Sequence, residues 1–166
     1  MSRVLILGSG GREHAIATFI AKDEKVKKVF CSPGNPGTQK FATNIAIDLN
    51  NNNEILELIK TENIDFTIVG PEGPLENGIV DFIESKGFKI FGPSKYAAQL
   101  ETSKLFARDF MEKYNIPQPA YFKCSSDEDV ISVSTKLGFP IVLKADGLAA
   151  GKGVIICNNY SEMEDG

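Results

Sequence analysis

Between Arg3 and Phe91 short apolar or β-branched runs alternate with longer stretches whose apolar residues recur at helical spacing, and this alternation constrains the fold more than any other feature. Val4–Leu7, Val29–Cys31, Phe66–Val69 and Lys89–Phe91 are strand candidates, with a weaker one from Asn44 to Ile47. Glu13–Lys22, Asn53–Glu62 and Leu75–Lys86 read as the intervening helices; Ile55, Leu56, Leu58 and Ile59 mark one buried face. Repeated strand-helix units of this kind feed a parallel sheet covered on both faces, so the expected class is a doubly wound α/β fold, with a first domain over residues 1–93.

A second segment opens after Gly92-Pro93-Ser94. Ser94 is a candidate N-cap for one long helix through Leu100, Leu105, Phe106, Phe110 and Met111, ending by Asn115. Pro117 and Pro119 cannot continue it, and residues 94–119 read as a helix and proline-containing linker. Beyond the linker, residues 120–166 carry a strand at Ala120–Lys123, a helix at Asp127–Leu137, a strand at Ile141–Lys144, a glycine-rich turn, a strand at Val154–Cys157 and a helix start capped by Ser161.

Composition narrows the partners. With 18 basic against 22 acidic residues the net charge is -4, which gives no electrostatic footprint for a nucleic-acid backbone. No apolar run approaches the roughly 20 residues that span a bilayer, so no membrane partner and a cytoplasmic location are expected. Cys31, Cys124 and Cys157 are odd in number and lie in or beside apolar runs, and they read as buried or half-buried thiols. The single histidine, His14, has no identified catalytic partner and reads as structural.

Gly8-Ser9-Gly10-Gly11-Arg12-Glu13 lies where the first strand gives way to the first helix, and glycines there bring backbone N–H groups up to an anion at a helix start. A dinucleotide fingerprint would need glycine at Glu13 and an acidic residue where Cys31, Ser32 and Pro33 stand, so a nicotinamide or flavin site is disfavoured. A tight turn without ligand remains the other reading. The loops Ser32–Thr38 and Gly70–Leu75 would emerge on the same sheet edge, because parallel strands share their carboxyl side. Arg12 suits a phosphate or carboxylate, or else a surface ion pair. Glu72 reads equally as a ligand for an amine or hydroxyl and as a carboxylate stabilising a helix start.

The second cluster is Lys144-Ala145-Asp146-Gly147-Leu148-Ala149-Ala150-Gly151-Lys152-Gly153. It is not a P-loop, which needs four residues before its Gly-Lys pair, a following Ser or Thr, and then a helix. Between two antiparallel strands it would instead close over nucleotide phosphates, Lys152 and its amides meeting the charge, while Lys144 points a cation into the same cleft. An unliganded hairpin with two solvated lysines is the alternative.

In this order and spacing, GSGGREHAI, PGNPGT, TIVGPEGPL, IFGPS, AAQLETSK and PIVLKADGLAAGKGV resemble the phosphoribosylamine-glycine ligases, also called glycinamide ribonucleotide synthetases, over nearly the whole chain. The resemblance implies that residues 1–93 form the substrate-side domain that precedes an ATP-grasp module, and that residues 120–166 begin the nucleotide-binding lobe. It implies ATP and Mg2+ as cofactors, with metal ligands outside this chain, and glycine and 5-phosphoribosylamine as substrates. It places Lys104, Lys144, Gly147, Leu148, Ala149, Ala150, Gly151, Lys152 and Gly153 at the nucleotide, and Gly10, Gly11, Arg12, Glu13, Asn35 and Glu72 on the substrate side. No catalytic residue is assigned. Family members continue for a few hundred residues, so a fragment ending at Gly166 is expected to be inert unless another chain supplies the rest.

Overall fold

A computed structural model describes residues 1–149 and 152–165. The chain divides into two compact units, Met1–Ala98 and Gln99–Gly166.

In the first unit, β1 (Ser2–Gly8), β2 (Val26–Pro33), β3 (Thr43–Asn44), β4 (Phe66–Val69) and β5 (Ile90–Phe91) form one parallel sheet in the order β3-β2-β1-β4-β5. The α/β expectation holds. Alternation along β1 sorts its side chains between two cores. Leu5 and Leu7, with Phe30, Val69 and Ile90, pack against Ile55, Leu58 and Ile59 of α2 (Asn52–Thr61) and Ile79 and Ile83 of α4 (Ile79–Ser85). Val4 and Ile6, with Val29 and Cys31, pack against Ala17 of α1 (Gly11–Ile20). Full burial of a Leu or Ile contributes about 1.5–3 kcal/mol, so the stripe on α2, more than its intrinsic propensity, keeps that helix on the sheet. Its start is fixed by Asn51, whose side chain accepts N–H bonds from Asn53 and Glu54.

The helix expected from Leu75 to Lys86 is two helices, α3 (Glu72–Glu76) and α4, because Gly78 adopts φ +78° between them. The weak third strand is shorter and earlier than expected, covering only Thr43–Asn44.

The long helix expected from Ser94 is also broken. Ser94 does cap its start, accepting the Ala97 N–H, but α5 (Lys95–Thr102) stops at Ser103, and α6 (Lys104–Lys113) begins anew. Ser103 is extended (φ -124°, ψ 115°) and its hydroxyl accepts the Phe106 N–H, an N-cap inside a segment whose apolar spacing reads as continuous. After α7 (Asp127–Leu137), β6 (Ile141–Lys144) pairs antiparallel with β7 (Val154–Cys157), and α8 (Tyr160–Glu164) follows. Ala120–Lys123 forms no strand: it has no ladder partner among the described residues, and Tyr121 and Lys123 bond instead to Asp109 and Glu112 of α6. Cys124, next to that connector, is consequently exposed, whereas Cys31 and Cys157 are buried as expected. The cap of α8 is Asn159, not Ser161; its side chain accepts the Glu162 N–H.

Candidate functional site

Each unit carries its own group of candidate residues. In the first, the strand order makes β1 the point from which the chain runs outward to β2 and β3 on one side and to β4 and β5 on the other. Loops leaving the carboxyl ends of β1 and β4 therefore diverge, which is where open α/β sheets leave a ligand crevice. Gly11 stands at the head of α1 with open space around it, and Gly10 precedes it in extended conformation. Arg12, 58% exposed, has its guanidinium 3.9 Å from Glu72, the first residue of α3, so the two charged residues meet at the starts of the helices that follow the adjacent strands β1 and β4.

Glu13 and Asn35 play a different part. Glu13 is 3% exposed; its carboxylate accepts the Gly10 N–H at 2.6 Å and the Arg12 Nε–H at 3.0 Å. It fills the space beside Gly8 and Gly70, the last residue before the β4 loop turns away. Asn35 donates from Nδ2 to the Ser9 carbonyl at 2.8 Å and accepts the Gly37 and Thr38 N–H groups on Oδ1. Both side chains bond to the backbone of the loops, and because the Gly10 N–H and carbonyl are taken up by Glu13, Asn35 and His14, it is Arg12, Glu72 and the backbone of Gly11 that remain at the exposed edge. His14 serves the same scaffold: its ring lies 6.0 Å from that of Phe41 and occupies the place a side chain at Gly37 would need.

In the second unit, Lys104, Arg108 and Lys144 line one cavity of about 450 Å³ together with apolar residues that include Val133, Ile141 and Leu143. That size and that mixture of cations with an apolar wall suit a nucleotide-sized ligand. Lys104 comes from the first turn of α6 and Lys144 from the end of β6, and the fold unites them although they stand forty positions apart in sequence. Lys104 Nζ donates to the Gly147 carbonyl at 2.8 Å. The glycine-rich segment is closed at its base by Ala145 N–H to the Gly153 carbonyl (2.9 Å) and by Lys152 N–H to the Ala149 carbonyl (2.8 Å). Gly147 has φ +85°, and a β-carbon at Gly153 would fall 2.6 Å from that of Ala149, so both positions require glycine. Lys152 and Leu148 are exposed. Ala150 and Gly151 lie outside the described residues.

Asp146 went unnoticed in the sequence. Its carboxylate takes the N–H groups of Lys104 (2.7 Å) and Leu105 (3.2 Å) and the Ser103 hydroxyl (3.2 Å). Desolvation pulls its pKa upward, but hydrogen bonds from the Leu105, Gly147 and Lys104 amides and from Ser103 outweigh it and leave the carboxyl below the usual range. Among the described residues no group of three or more His, Cys, Asp or Glu could hold a metal ion, and no helix is long and apolar enough to cross a membrane.

Two family models divide the chain much as the compact units do. The phosphoribosylglycinamide synthetase N domain matches residues 2–101, and the ATP-grasp (A) domain of the same synthetase matches residues 102–165. This chain belongs to the phosphoribosylglycinamide synthetase family. Phosphoribosylamine–glycine ligase of Clostridium acetobutylicum is 47% identical over 163 residues, 98% of this chain and 39% of that protein. The crystal structure of the Thermotoga maritima ligase superposes with a TM-score of 0.78 at 35% identity, over 98% of this chain and 38% of its own. N5-carboxyaminoimidazole ribonucleotide synthetase of the same organism shares the architecture (TM-score 0.76, 26% identity, 100% of this chain and 43% of its own). The chain thus spans about two-fifths of the length of these synthetase relatives. Within the family, the Arg12 crevice falls in the N domain, and Lys104, Lys144 and the glycine-rich segment fall in the ATP-grasp domain.

Proposed function

We propose that these residues supply the amine-substrate side and part of the nucleotide side of a cytoplasmic ligase that joins glycine to 5-phosphoribosylamine, converting ATP to ADP and phosphate and forming glycinamide ribonucleotide. The observation that carries this reading is the coincidence of an N-domain match with the Arg12 crevice and of an ATP-grasp match with the lysine-lined cavity.

In the reaction, a glycine carboxylate oxygen attacks the γ-phosphorus of ATP and ADP leaves. The amine nitrogen of phosphoribosylamine then attacks the carbonyl carbon of the acyl phosphate, phosphate departs, and the nitrogen loses a proton. Phosphorylation replaces a poor leaving group with a good one, so the protein's task is alignment and charge neutralisation. Lys104, Lys144 and Lys152 meet the phosphate charge of the nucleotide, and the glycine-rich segment from Gly147 to Gly153 covers it. Arg12 meets the phosphate or carboxylate of the other substrates, with Glu72 opposite for an amine, and Gly11 offers a backbone donor beside Gly10, whose own N–H is held by Glu13. Mg2+ accompanies ATP in such chemistry, but the described carboxylates form no cluster for it and Asp146 is taken up by α6; no step here depends on it.

The test is substrate dependence in the full-length protein that carries this chain. ADP should form only when glycine and phosphoribosylamine are both supplied. ADP release without either would assign the chain to a different ATP-grasp ligase.

A further inference from the structure

Asp146 lies two residues beyond Lys144 and immediately before Gly147, yet apart from the adjacent Gly147 amide every contact of its carboxylate described above is with the start of α6. A helix start presents unpaired N–H groups and partial positive charge, and an anion there is favourable. Here the anion is built in. The Ser103 hydroxyl donates to Asp146 while accepting the Phe106 N–H, and in return Lys104 Nζ donates to the carbonyl of Gly147. The base of the glycine-rich segment and the first turn of α6 are thereby tied in both directions.

This tie explains the break between α5 and α6. The apolar spacing from Ser94 to Asn115 is that of a single helix, and Ser103 and Lys104 carry no glycine or proline that would interrupt it. A carboxylate that collects the Lys104 and Leu105 N–H groups removes the donors a continuous helix would pair with its own carbonyls. Were α5 and α6 to run through as one helix, Lys104 would change its direction relative to β6.

Resting on the nucleotide reading of the cavity, we infer that Asp146 is a positioning residue: it fixes the start of α6 and the base of the glycine-rich segment so that the Lys104 and Lys144 ammonium groups address the same ligand phosphates. It acts through Lys104 and does not itself touch the nucleotide. The low carboxyl pKa keeps it ionised throughout the neutral range, as the role requires.

The experiment is ATP binding by calorimetry on the full-length protein, with Asp146→Ala, Asp146→Asn, Lys104→Ala and the Asp146→Ala/Lys104→Ala double variant. Asp146→Ala should weaken ATP about tenfold, and the double variant should bind within about twofold of Lys104→Ala alone, because the two residues act as one unit. Asp146→Asn keeps an oxygen for the Lys104 and Leu105 N–H groups and should recover part of the loss; it carries the test if the alanine variant does not fold. Wild-type affinity in both Asp146 variants, or additive losses in the double variant, would overturn the inference while leaving the nucleotide reading intact. A wild-type protein that binds no ATP would remove that reading, and this inference with it.

Discussion

The Glu13 carboxylate occupies the volume that a side chain at Gly70 would need, so a buried acid from the first turn of α1 is packed against the end of β4. The contact has little freedom to yield, since the same carboxylate holds the Gly10 N–H and Arg12. Gly70→Ala should displace it, strand the Gly10 donor and lower stability by about 1–3 kcal/mol in urea unfolding. Glu13→Ala should cost a similar amount. The double variant should cost less than the sum, because the new methyl group enters space the glutamate has left; strict additivity would show that the two residues are not in contact.

Arg12 meets two carboxylates: its ion pair with Glu72 is long and exposed and adds little to stability, whereas its Nε–H bond reaches the buried Glu13. Arg12→Ala should therefore lower stability by about 1–3 kcal/mol, because the buried Glu13 carboxylate loses a partner, and should raise the KM for phosphoribosylamine or glycine about tenfold or more. Arg12→Lys keeps the charge but not the planar fork and should fall between the two. Unchanged KM values for both substrates in Arg12→Ala would remove it from the substrate side.

What was legible in the sequence follows the range of the forces involved. Strands β1, β2 and β4 and helix α2 are marked by local apolar runs, and the shared edge of the glycine loops follows from parallel topology alone. Gly78 breaks a helix by its own backbone angle, yet a lone glycine within a periodic stretch is ordinarily tolerated, so that signal was weak. The break at Ser103 and the role of Asp146 depend on a partner forty-two residues away from Lys104, and no local pattern encodes it. Glu13 and Asn35 are substrate-side candidates by resemblance, and only the packed structure shows that their polar atoms are engaged by the loop backbones.

The depressed pKa of Asp146 makes a pH prediction with a definite sign. A carboxyl whose folded pKa lies below its unfolded value contributes stability that is complete above the unfolded pKa, near 3.8 for an aspartate, and is lost as pH falls through the lower folded pKa. The difference in unfolding free energy between wild type and Asp146→Asn should thus be constant from pH 7 to about pH 5 and shrink below about pH 4. A difference that instead grows on acidification would mean that the carboxylate is not held by the donors at α6.

The three thiols should separate cleanly by reactivity. Cys31 is fully buried, and burial, opposed by a hydrogen bond with Thr38 and reinforced by the Glu13 charge, pushes its pKa up to about 11. At pH 8 roughly one such thiol in a thousand is ionised, and the thiolate is the reactive form. Because the folded pKa is raised, the neutral thiol's contribution to stability is complete below the unfolded value near 9.0 and is lost as pH rises from there to about 11. Cys157 is likewise buried, whereas Cys124 is exposed and lines the lysine-containing cavity. An aromatic disulfide reagent should accordingly label one equivalent rapidly in the native protein and two more only after unfolding. Saturating ATP should slow the rapid phase, since the nucleotide would cover the wall on which Cys124 sits. Labelling at the same rate with and without bound ATP would move the nucleotide out of that cavity.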